Sequence, residues 1–135
     1  MNAEPHPEQT KEDVLEELFV DRSTILDQNV LKELLINYIQ LTKEGGIVLT
    51  TNFQKLNRHQ KVLIILLARK VLKLKMGLEE KVTPKDIIDI TGLPRGTVAP
   101  SVRDLESEGY IRSEQGAYWI PDSLVLKAKQ KFLQK

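Results

Sequence analysis

Lys85, Arg95, Thr97, Ser101, Arg103, Arg112 and Gln115 carry side chains suited to holding a phosphate or a base edge. A guanidinium offers a planar fork of donors and an ammonium a point charge, while hydroxyls and amides complete such contacts. Arg95 falls in a turn, from which it can reach a phosphate or a guanine edge. Thr97 and Ser101 follow at the start of a helix, and Thr97 is also the expected cap of that helix. Arg103 sits on the helix flank, where Asp104 or Glu106 could pair with it instead. Lys85 opens the preceding helix, and Arg112 and Gln115 belong to a hairpin farther on.

Those positions follow from local rules. Thr83 is a good N-cap, Pro84 suits the first helical position, and Asp86 completes a capping-box pattern. Ile87, Ile88 and Ile90 give that helix an apolar face, and Gly92 suits the left-handed residue that ends it. The next helix is expected to start at Thr97 as N-cap. An earlier start would put Pro100 in the second turn, at a cost of roughly 3 kcal/mol. Val98, Val102 and Leu105 then face inward, and Gly109 ends the helix. Tyr110 to Ser113 and Ala117 to Ile120 flank a turn at Glu114-Gln-Gly116 and predict a β-hairpin. Adjacent strand residues face opposite ways. Trp119, rather than Tyr118, is expected to pack beneath the hairpin.

The run from Thr83 to Ile111, followed by Tyr118-Trp119-Ile120, resembles the winged helix-turn-helix domains of prokaryotic transcriptional regulators. It resembles MarR-like and related archaeal proteins especially, and the resemblance covers about residues 56–121. It implies a fold that is mostly α with a small β-hairpin wing, flanked by N- and C-terminal helices. It also implies double-stranded DNA as the partner, transcription regulation as the activity and a homodimer held by the flanking helices. Pro100 departs from the pattern, since such families more often carry a polar or basic residue there.

Catalytic chemistry has little support. His6 and His59 are far apart, no Gly-rich phosphate loop occurs, and no His-Glu-x-x-His pair exists. Glu16-Glu17 and Glu79-Glu80 read as solvated faces, His59 as a surface residue, and Lys70 as the back of the domain. With no cysteine, disulfides and thiolate chemistry are excluded. No metal site or cofactor is expected. The start of the chain lacks the basic and apolar regions of a signal peptide, and no apolar run reaches membrane-spanning length. A cytoplasmic protein is the expectation.

Charge is uneven. Residues 1–46 hold four Lys/Arg against ten Asp/Glu, a net of −6, and residues 47–135 hold sixteen against nine, a net of +7. Local potential governs attraction to phosphates. A winged helix that binds protein within a larger nucleic-acid-processing assembly is the alternative, favoured by Pro100 and by the acids Asp104, Glu106 and Glu108.

The chain divides into a tail over 1–9, expected to be disordered, acidic helices over 10–46, a winged domain over 47–121 and a helix over 122–135. The first acidic helix carries Val14, Leu15, Leu18 and Phe19. A second, capped by Asp27 or Asn29, is expected to run to about Lys43, with Gly45-Gly46 as its stop. Asn57 with Gln60 predicts the start of the most apolar helix, about Arg58 to Met76. Its apolar residues lie on two sides, so the N-terminal helices are expected to cover part of it. The C-terminal helix has Val125, Ala128 and Phe132 on one stripe, with Leu126 and Leu133 opposite.

Overall fold

Asn57 and Gln60 exchange hydrogen bonds at the head of the longest helix. The Gln60 N–H donates to Asn57 Oδ1 at 2.8 Å, and the Asn57 N–H donates to Gln60 Oε1 at 3.0 Å. The structure, a computed structural model, describes Leu15, Leu18 and residues 28–133. Along the chain run α1 (Gln28–Leu35), β1 (Ile39–Leu41), β2 (Ile47–Leu49), a 3-10 turn (Thr51–Lys55), α2 (Arg58–Met76), α3 (Pro84–Thr91), α4 (Arg95–Ser107), β3 (Arg112–Glu114), β4 (Ala117–Trp119), a second 3-10 turn (Asp122–Leu124) and α5 (Val125–Leu133). The fold is mostly helical with small antiparallel hairpins. The tail over 1–9 and the first acidic helix lie outside the described residues, apart from Leu15 and Leu18.

Burial explains the central place of α2. Val62 through Ala68 are all fully buried, so no side of this stretch faces water. Leu31, Leu34 and Leu35 of α1, Val98, Val102 and Leu105 of α4, and Val125 and Ala128 of α5 join it in one core. The neighbours that the two-sided pattern called for are therefore α1 and α5 as well as α4. At the other end of α2, Lys70 is almost fully buried. Its ammonium donates to Glu80 at 2.6 Å and to Asp122 at 2.5 Å. This corrects two expectations: Glu80 is not a solvated acid, and Lys70 is not a free surface cation.

The helix expected to reach Lys43 ends at Leu35 instead. Ile39 to Leu41 turn into a strand that pairs with Ile47 to Leu49, and Gly45-Gly46 lie in the connecting turn. Gly45 has φ of +89°, and the Gly46 N–H donates to Thr42 Oγ1. The apolar residues Tyr38, Ile39 and Leu41 still pack on the core, now from a turn and a strand. Short apolar runs satisfy either period, and here strand pairing won.

Candidate nucleic-acid interface

Thr83 and Asp86 form the expected reciprocal cap of α3, with Pro84 at its first position. Gly92 ends α3 with φ of +75°, and its N–H donates to the Ile88 carbonyl. The turn to α4 is shorter than expected, because α4 starts at Arg95 with Pro94 as its cap. Thr97 is thus inside the helix rather than capping it, and Arg95 occupies the first turn rather than a loop. Pro100 stands inside α4, where it can offer no N–H to the Gly96 carbonyl. Tertiary packing offsets that loss: Val98, Ser101, Val102 and Leu105 are all buried on α2's side.

Ser101 is the clearest correction. It is fully buried, donates to the Thr97 carbonyl at 2.7 Å and accepts from Arg58 Nη1 at 3.0 Å. A hydroxyl so placed cannot reach a nucleic acid; it fastens α4 to α2. Arg58 also reaches Asp104 through Nη2 at 3.2 Å, and His59 Nε2 meets the same carboxylate oxygen at 3.2 Å. The His59 hydrogen bond, followed by Arg58, holds the Asp104 carboxyl below its usual range. His59 is accordingly half-buried and engaged rather than a plain surface residue.

The other acids near α4 are engaged too. Glu106 accepts from the Ser113 hydroxyl at 2.6 Å, and Glu108 pairs with Lys131 at 3.2 Å. Lys127 donates to the Glu108 and Gly109 carbonyls, so cations of α5 sit at the negative end of the α4 dipole. Arg95, Arg103 and Arg112 differ. Each is exposed, and among the described residues no ion pair or hydrogen bond engages their side chains. Arg103 does not pair with Asp104 or Glu106. Arg95 and Arg103 are eight residues apart on one helix, about 12 Å along its axis.

The hairpin carries the remaining candidates. Gln115 and Gly116 both have positive φ, at +53° and +82°, which makes a tight two-residue turn with Gln115 exposed at its tip. Glu114 belongs to β3 and not to the turn. Alternation along β3 places Arg112 on the opposite face from Ser113, which faces α4. Tyr118 packs on the core, whereas Trp119 is half-buried with the Lys81 ammonium 4.8 Å from its ring centre. The expected roles of the two aromatics are therefore exchanged. Lys85 is exposed on α3 and pairs with Asp89 one turn on, at 3.1 Å. The structure thus brings Arg95, Thr97 and Arg103 onto α4, puts Arg112 and Gln115 on the hairpin, and removes Ser101.

Arg58 is the residue that sequence reasoning missed. One signal was available: Arg58 stands in the first turn of a helix, where the macrodipole disfavours a cation. A cation there calls for an acid from elsewhere, and Asp104 supplies it.

Family models, curated proteins and solved structures offer no match to this chain. Among the described residues, no group of three His, Cys, Asp or Glu side chains could hold a metal ion. No described helix is long and apolar enough to cross a membrane.

Proposed function

We propose that this chain binds double-stranded DNA as a dimeric transcriptional regulator of the winged helix-turn-helix type. The observation that carries the reading is the contrast in pairing around α4. Asp104, Glu106 and Glu108 are each held by a neighbour, while Arg95, Arg103 and Arg112 are exposed and unpaired. Arg58 and Lys131 neutralise Asp104 and Glu108, while Glu106 is held only by a hydroxyl and keeps its charge, so three unpaired arginines stand against one unneutralised acid on α4 and β3. Topology supports the same reading. A short helix, a tight turn and a second helix precede a hairpin, and Val82 pairs with Tyr118 to add a third strand-like rung beside β4. The resemblance of Thr83–Ile111 to MarR-like and archaeal regulators accords with that order.

Exposed apolar residues on α5 support the dimer. Leu126 and Leu133 are 60% and 68% exposed, seven residues apart on one helix face. Leu34 is buried and Phe132 packs against Tyr38 within the chain, so the dimer reading rests on Leu126 and Leu133. A protein-interaction module within a larger nucleic-acid-processing assembly is the second reading. It draws on Gly96, Ala99 and Pro100 of α4, whose side chains offer no hydrogen-bond donor. A gel shift with random and genomic duplexes tests the choice. Retarded duplex supports DNA binding, and free duplex at low salt favours the protein-interaction reading.

A further inference from the structure

We propose that the groove between α1 and the C-terminal half of α2 docks the chain's own N-terminal segment, residues 10–20, in cis. The groove has a volume of about 380 Å³, and Leu35, Ile36, Ile39, Leu41, Val71 and Leu74 line it. Ile36 and Leu74 are large apolar residues left exposed there. Lys32 and Lys75 stand in the same wall. An apolar trough bordered by cations fits an amphipathic segment whose polar side is acidic.

Residues 10–20 have that character in sequence. Val14, Leu15, Leu18 and Phe19 recur at helical spacing, and Glu12, Asp13, Glu16 and Glu17 fall between and before them. Leu15 and Leu18 are 61% and 79% exposed, so their apolar surface is left uncovered, like that of Ile36 and Leu74 in the groove. The segment's point of attachment matters most. It leads into Gln28, which itself lines the groove. From Leu18 to Gln28 the chain can span at most about 33–36 Å. That is ample to fold back onto an adjoining wall. Tethering also gives the segment an effective concentration near the millimolar range, which a free partner would have to exceed. The leucine stripe of α5 is a poorer host, since it lies on a helix remote in sequence from this segment. This proposal is independent of DNA binding.

The absence of cysteine from the chain allows a clean test. The full-length protein with Glu17→Cys would carry one nitroxide, and methyl signals of Ile36, Leu41, Val71 and Leu74 would be followed in excess unlabelled chain. The proposal predicts that these signals are lost to paramagnetic broadening and restored on reducing the nitroxide. Adding Leu15→Glu and Leu18→Glu should abolish the broadening and raise the fluorescence of an anilinonaphthalene dye at the vacated groove. Unbroadened methyls would overturn the proposal. Broadening seen only when nitroxide and isotope are on different chains would overturn it in favour of exchange between two copies. Equal dye fluorescence with and without the two glutamates would also count against it.

Discussion

Asp104 shows how one carboxylate can support a binding surface without touching a ligand. It accepts from His59 and Arg58 and so joins the head of α2 to the last turn of α4. Its folded pKa is depressed, so its contribution to stability is present above the unfolded value and is lost as pH falls through the folded one. Asp104→Asn should therefore lower stability at neutral pH. The gap from the native chain should close on acidification below the ordinary aspartate range, as urea unfolding at several pH values would show. A gap that stays constant with pH would mean the carboxylate's charge is irrelevant. Arg95 and Arg103 are the residues expected to touch DNA. Arg95→Ala and Arg103→Ala should each weaken duplex binding more than Lys75→Ala, whose lysine lies in the groove beside α1. A lost bidentate base contact would cost about 1–3 kcal/mol and relax sequence preference, while a lost phosphate contact would weaken all duplexes alike. Titrating one specific and one random duplex separates the two. The exposed arginines were legible in sequence because a long cation at a polar helix position rarely turns inward. Ser101 was not, since the hydrogen bond that occupies its hydroxyl comes from Arg58, 43 residues away. Lys70 was illegible for the same reason, its partners lying 10 and 52 residues off.

Among the elements, those specified by neighbouring residues were the readable ones. The Asn57–Gln60 and Thr83–Asp86 caps each lie within four residues, and both helix starts fall where those patterns put them. The β1–β2 hairpin needed a partner strand to exist, and Ile39-Gln-Leu alone does not announce one. The start of α4 was misread for a related reason. Local energetics disfavour Pro100 inside a helix, but the buried face of Val98, Val102 and Leu105 holds the helix through it. That conflict makes a prediction. Pro100→Ala restores an N–H that can donate to the Gly96 carbonyl, worth roughly 3 kcal/mol in a helix interior. Relaxing the unfolded chain subtracts about 0.4–1 kcal/mol. A net gain of about 2 kcal/mol is expected, read as an upward shift of the urea midpoint without a change in slope. An unchanged midpoint would show that the proline is already accommodated without cost.

For the whole molecule, the distribution of charge and of uncovered leucines sets the expected behaviour. The fold exposes Leu126 and Leu133 on α5, so the native chain should sediment as a dimer at micromolar concentration. Leu126→Glu with Leu133→Glu should reduce it to the 15.4 kDa species. A native chain already at that mass would remove the dimer. The net of +7 over residues 47–135 is not spread evenly as free charge, because α5 directs Lys127 and Lys131 at the end of α4 and Lys70 is buried. What remains on α4 and β3 is a small set of unpaired arginines. DNA affinity measured across a salt series tests this most directly, because each phosphate neutralised releases counterions and adds about −0.9 to the log–log slope. Contacts from Arg95, Arg103 and Arg112 predict a slope of about −2.7 per subunit, roughly doubled in a dimer. A duplex interaction that is absent at low salt, or flat across the series, would contradict the account.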